Sequence, residues 1–137
     1  MVAHPPAETW RKIGLREQDR LALLHAPAAW SMGGAHHAGA VVRRRTTTPA
    51  DVVVAFYRSR LELEHEAGAL PDGITPDGMI WVAWPRRAAG HESDLSDGAV
   101  RATLLPHGLV DVKVATLDED WSGLRFVWRR ERRGARR

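Results

Sequence analysis

The sequence predicts a small three-layer α/β sandwich of the Rossmann type: a mostly parallel sheet, helices on both faces, and an antiparallel hairpin closing the C-terminal end. Three observations predict it. The apolar runs Val52–Tyr57 and Met79–Trp84 read as strands buried on both faces, as parallel strands are. The segments that follow them open on helix-capping residues. The last two apolar segments, "LVDVKVATLD" and "LRFVWRR", alternate with period two and are joined by "EDWSG". Right-handed crossovers between parallel strands then place helices on both sides of the sheet.

Each element can be justified in order. "PPAETWRKIGL" predicts a short helix from near Ala7, stopped by Gly14. "DRLALLHAP" predicts a strand that is apolar from Leu21 to Leu24 and broken by Pro27. The Gly/Ala-rich residues 28–39 predict a short helix from Ala28 and then a loop. "AVVRRR" predicts a strand near an edge, because it turns polar quickly. After the Val52–Tyr57 strand, Ser59 and Glu62 stand three apart, as a capping box requires, and start a helix. Arg58 and Arg60 fall four residues before Glu62 and Glu64, a spacing that supports weak pairing. "PDGITPDG" reads as a double turn before the strand "MIWVAWP", where Pro85 ends the ladder without leaving an amide unpaired. "SDLSDGAVRATLLPHG" predicts a helix of about three turns starting near Ser93–Asp94 and stopping at Pro106 and Gly108.

Composition narrows the function classes. One chain of 137 residues, 44% hydrophobic and 27% charged, predicts one globular domain over residues 1–128, followed by a basic tail at 129–137. Six arginines against Glu131 in that tail account for the basicity; the remaining body has 14 basic and 16 acidic residues, a net of −2. The tail gives a weak nucleic-acid-binding alternative and otherwise reads as a solvated terminus. The lack of cysteine excludes disulfides, thiolate metal sites and cysteine nucleophiles. No apolar run is long enough to span a bilayer and the first residues do not read as a signal peptide, so a cytoplasmic location is expected. Eighteen arginines to two lysines suggest a GC-rich genome.

The order of elements looks like a shortened methyltransferase variant of the Rossmann fold. In that analogy Asp51 and the valines stand for its fourth strand, "PDGMIWVAWP" for its fifth and the hairpin for its last two. The segments "LALLHAP", "DVVVAFYRSRLELE", "PDGMIWVAWPRRAAG", "SDLSDGAVR" and "GLVDVKVATLDEDWSGLRFVWRR" resemble a bacterial family catalogued as domain of unknown function 3052. The resemblance covers most of residues 10–130 and implies no particular reaction. The family usually has glycine where His25 stands, two lysines where Arg86 and Arg87 stand, and a Gly/Ser-rich N-terminal stretch that this chain lacks. A role for lysine chemistry is therefore not implied.

Cofactor chemistry is argued against by two missing handles. A dinucleotide site needs a glycine-rich turn after the first strand and an acid after the second. Here the first turn is "HAPAAW", with no glycine before Gly33, and the second strand runs into "RRRTTT". S-adenosylmethionine depends on similar handles, so no cofactor is expected. His36, His37, His91 and Glu92 do not form a metal-ligand pattern. No serine sits in a nucleophile elbow, no catalytic carboxylate pair stands out, and Glu62, Glu64 and Glu66 read as a solvated helix face.

Ligands of parallel α/β sheets bind beyond the carboxyl ends of the strands. That edge is expected to gather His25, then Arg58, Ser59 and Arg60, then Arg86 and Arg87, and finally Asp118, Trp121 and Ser122 from the returning hairpin. Two helix starts, near Ser59 and Ser93–Asp94, would add unpaired amides. The set favours a small anionic ligand, with Trp121 or Trp84 as a flat wall; the competing reading is that Arg86 and Arg87 merely pin the acidic hairpin turn. The sequence thus points to a non-catalytic or degenerate methyltransferase-like domain that binds a small anionic metabolite or a protein partner, a second copy of itself included. The alternative is an enzyme acting on a small anionic substrate, with His25 as its titrating base.

Overall fold

A computed structural model of the chain describes residues 9–16, 19–28, 30, 41–43 and 48–130. The expected helix from Ala28, the histidine pair at 36–37 and residues 131–137 of the tail lie outside these, apart from Ala28 itself and Trp30. The elements run α1 (Thr9–Ile13), β1 (Arg20–Leu24), β2 (Val41–Arg43), β3 (Ala50–Phe56), α2 (Arg60–Glu66), β4 (Ile74–Pro85), α3 (Asp97–Leu104), β5 (Leu109–Thr116) and β6 (Trp121–Trp128). They form one six-stranded sheet in the order β2-β1-β3-β4-β6-β5. Strands β1 to β4 pair in parallel, and β6 is antiparallel to both its neighbours, β4 and β5. No described helix is long and apolar enough to cross a membrane.

The two buried runs are central strands because both their faces must be covered. On one face Val53, Ala55, Ile80, Val82, Trp84, Leu124 and Phe126 pack against Leu63 of α2 and Val100 and Leu104 of α3. On the other, Val52, Val54, Phe56, Trp81 and Trp121 pack with Ile13 of α1. Trp81 and Trp84 are three apart, so they point to opposite faces, and each is buried there. The Trp81 indole also donates to the carbonyl of Ile13 at 2.8 Å and seats α1 on the sheet. Gly14 follows with φ +87°, a left-handed stop for the helix.

Two expectations change. The second turn in "PDGITPDG" is instead part of β4: the β3–β4 register jumps from Ala50↔Ile74 to Val52↔Met79, so the extra residues bulge out of the ladder. Gly78 is required there, because a Cβ would lie 3.0 Å from the carbonyl oxygen of Asp51. The helix expected near Ser93 has its N-cap three residues later, at Ser96, and runs for eight residues from Asp97. Ser93 is diverted: its hydroxyl donates to the Arg58 carbonyl at 2.8 Å and accepts the Leu95 amide at 3.1 Å.

Candidate functional site

The chain leaves β1 toward β2 on one side and leaves β3 toward β4 on the other. The crevice between the carboxyl ends of β1 and β3 is therefore the topological switch point, where open α/β sheets bind ligands. A pocket of about 340 Å³ lies there, lined by His25, Phe56, Tyr57, Arg58, Glu62, His65, Glu66 and Trp121.

His25 is the first residue after β1. It is the non-glycine residue with positive φ among those described, at +59°, a conformation that glycine adopts without strain. Its Nε2 lies 2.9 Å from both carboxylate oxygens of Glu66 on α2. Glu66 also accepts a 2.6 Å hydrogen bond from the buried hydroxyl of Tyr57. Tyr57, Glu66 and His25 thus form one hydrogen-bonded chain from the end of β3 to the end of β1. Burial works to raise the Glu66 pKa, but the bonds from Tyr57 and His25 and the nearby imidazoles outweigh it and hold this carboxyl below its usual range. Burial, then the bond to Glu66 and the charges of Glu66 and Glu62, push the Tyr57 hydroxyl well above the ordinary tyrosine range.

The expected site residues do reach one rim, but they divide among neighbouring cavities. His25, Arg58 and Trp121 line the switch-point pocket, with the Arg58 guanidinium 5.2 Å over the Trp121 ring. Arg58, Ser59 and Arg87 line an open groove with Gly90, His91, Ser93 and two carboxylates, Glu92 and Asp94. Arg87 and Ser122 line a third hollow beside Trp84, Leu95 and Ser96. Arg86 holds the hairpin turn: its amide donates to the carbonyl of Asp120 and its guanidinium to that of Glu119, both at 2.8 Å. The anchoring atoms are backbone carbonyls, whereas the sequence pointed to side-chain carboxylates. Asp118 is likewise committed, accepting from the amides of Asp120 and Trp121 and from the Trp30 indole.

The start of α2 does not supply the amides that were expected. The carboxylate of Glu62 accepts from Arg58 N and Ser59 N, Asp94 accepts from Arg60 N, and the Ser59 hydroxyl accepts from Glu62 N. The start of α2 is thus filled by the chain's own oxygens. The expected Arg60–Glu64 pair forms, at 3.1 Å, while the Arg58 guanidinium goes to Trp121 in place of Glu62.

Sequence reasoning missed Tyr57, Glu62, Glu66, Phe56 and His65 as pocket residues. Glu62 and Glu66 are not part of a plain solvated face, as expected; only Glu64 keeps that role, paired with Arg60. The available signal was the spacing of Glu62 and Glu66, one helical turn apart directly after the strand end. Among the described residues no cluster of three His, Asp or Glu side chains could hold a metal, and His91 is paired with Asp120 at 2.9 Å.

No protein-family model matches the sequence, and no curated protein does. Solved structures show the fold. A SAM-dependent methyltransferase from Aquifex aeolicus superposes with a TM-score of 0.64 at 12% identity, covering 88% of each chain. A TehB-like SAM-dependent methyltransferase from Corynebacterium glutamicum gives 0.57 at 8% identity, over 90% of this chain and 87% of the other. The B. subtilis tRNA methyltransferase TrmK gives 0.58 at 12% identity, over 98% of this chain and 69% of its own. The chain is a Rossmann-like α/β domain with methyltransferase topology. Two handles of the cofactor site those folds imply are absent among the described residues and the sequence after β2: His25, bonded to Glu66, follows β1 where the fingerprint has glycine, and residues 44–50 carry no acid.

Proposed function

We propose that this domain has kept the methyltransferase sheet without its cofactor grip and uses the rim to bind a small ligand bearing an acidic group, as a non-catalytic or degenerate member of the family catalogued as domain of unknown function 3052. The observation that carries the reading is the placement of Arg58 and Arg87 on one groove of about 770 Å³ beside the switch point. Among the described residues no carboxylate pairs with either guanidinium. A protein partner, including a second copy of the chain, would use the same two cations if it presented an acidic side chain.

Thermal shift with inorganic phosphate, and with phosphate- and carboxylate-bearing metabolites, tests this. Stabilisation of the wild type and its loss in an Arg58→Gln, Arg87→Gln double variant are expected. An equal gain in the double variant overturns the reading. Arg86 is left intact, because its loss would loosen the hairpin whether or not a ligand binds.

One observation favours an enzyme acting on a small anionic substrate as the second reading. His25 is held in a strained backbone conformation and oriented by a carboxylate, as general bases are. Turnover that disappears in His25→Ala while phosphate stabilisation persists would select it.

A further inference from the structure

The switch-point pocket differs chemically from the groove beside it. Its walls are aromatic: Phe56 and Trp121 stand nearly perpendicular, at 89°, with centroids 4.9 Å apart, and Tyr57 adds a third ring. Glu62 and Glu66, one turn apart on α2, line the same space. Against these two carboxylates the wall sets one guanidinium, Arg58, and the imidazoles of His25 and His65. Glu66 keeps its charge because Tyr57 and His25 both bond to it. An anion entering here would meet two carboxylates, whereas a cation meets carboxylates and the negative face of an indole.

The chain itself displays that preference, since the Arg58 guanidinium lies over the Trp121 ring at 5.2 Å. Arg58 is exposed and borders both cavities, and among the described residues no side-chain carboxylate holds its guanidinium in place. It can swing toward the groove without breaking a packed contact of the core.

We propose that the switch-point pocket is a subsite for a small organic cation, an amine or methylated ammonium group, which replaces the Arg58 guanidinium on Trp121 and faces Glu62 and Glu66. The proposal goes beyond the acidic-ligand reading and does not depend on it. The two meet at Arg58: displaced from Trp121, this side chain is delivered to the groove where Arg87 stands. A ligand carrying both an ammonium and an acidic group would therefore occupy both cavities.

The test is an NMR titration of the full-length, nitrogen-labelled protein with tetramethylammonium chloride, against sodium chloride at equal ionic strength. The indole N–H of Trp121 and the amides of His25 and Tyr57 should move saturably. Glu66→Gln should weaken the effect about tenfold, by removing the charge the cation faces. Arg58→Gln should strengthen it about threefold, because the competing cation is gone. The same Arg58→Gln variant should bind inorganic phosphate more weakly, a reversal of sign that a purely structural arginine would not give. Absence of saturable movement in both the wild type and Arg58→Gln, or weaker tetramethylammonium binding in Arg58→Gln, overturns the proposal. Tetramethylammonium binding without any phosphate response removes only the acidic-ligand reading.

Discussion

Glu66 carries more of the local structure than its place among three helix glutamates suggests. Its pKa is depressed in the folded state, so the stability it contributes is present above the unfolded carboxylate value of about 4.3 and is lost as pH falls through the folded value. Its side chain is 40% exposed, and solvent screening keeps the effect below about 1 kcal/mol. Urea denaturation at neutral and acid pH should show this loss in the wild type and a flatter profile in Glu66→Gln. Tyr57 works in the opposite sense. Its raised value favours the neutral hydroxyl, so its contribution is intact below the unfolded tyrosine value of about 10 and declines as pH rises beyond it. Tyr57 is the chain's one tyrosine, which makes tyrosinate absorbance a clean readout: ionisation should appear only together with unfolding. Tyr57→Phe should cost about 1 kcal/mol, the net worth of a part-buried hydrogen bond. At this scale the sequence was readable for His25, which had to follow a strand interrupted by Pro27, and for Arg58. It was only half readable for Glu66: the spacing sets it on one helix face with Glu62 and apart from Glu64, but only the third dimension brings it to Tyr57.

Local signals decided which elements could be placed from sequence. The capping box of α2 is written within four consecutive residues, and both of its hydrogen bonds form. Ser59→Ala should therefore destabilise the domain by about 1 kcal/mol in chemical denaturation. The start of α3 was misplaced because "SDLSD" offers two serines with equal local claims. A contact distant in sequence, from Ser93 to the carbonyl of Arg58, takes one of them out of competition. The bulge in β4 escaped for a related reason: "TPDG" is turn chemistry by composition, and only pairing with Ala50 and Val52 makes it a strand irregularity. The hairpin carries its own constraint at Gly123, where a Cβ would come within 2.9 Å of the Leu117 side chain and 3.0 Å of the Trp81 ring. Both neighbours are fully packed, so Gly123→Ala should cost roughly 1–3 kcal/mol, measurable as a lowered melting temperature.

For the whole molecule, the alternation of strand and helix was enough to predict a parallel sheet with a terminal hairpin, because buried parallel strands and half-exposed antiparallel ones have different periods. The end of β6 illustrates the second kind, with Leu124, Phe126 and Trp128 buried and Arg125 and Val127 half-buried, whereas β5 does not keep the expected alternation: Val112, Lys113 and Val114 are all exposed at the sheet's edge. The division of the rim into separate cavities was beyond reach, since it depends on which side of the β4–β6 pair each side chain falls. Trp121 and Ser122 are consecutive residues and still line different hollows. The basic tail begins where β6 ends, at the edge opposite the rim, and Arg129 is bound there to the carbonyls of Gly108 and Leu105. Truncation after Arg130 should thus leave both the melting temperature and any phosphate-induced shift unchanged, while salt-sensitive retention on DNA cellulose, if the tail supplies it, should fall.

The antiparallel course of β6 has a practical outcome. Its eight residues carry the chain roughly 26 Å from the rim, at about 3.3 Å each, before the last residues begin. A biotin attached directly after Arg130 would anchor the protein to a sensor chip with its crevice turned outward, toward the flowing analyte.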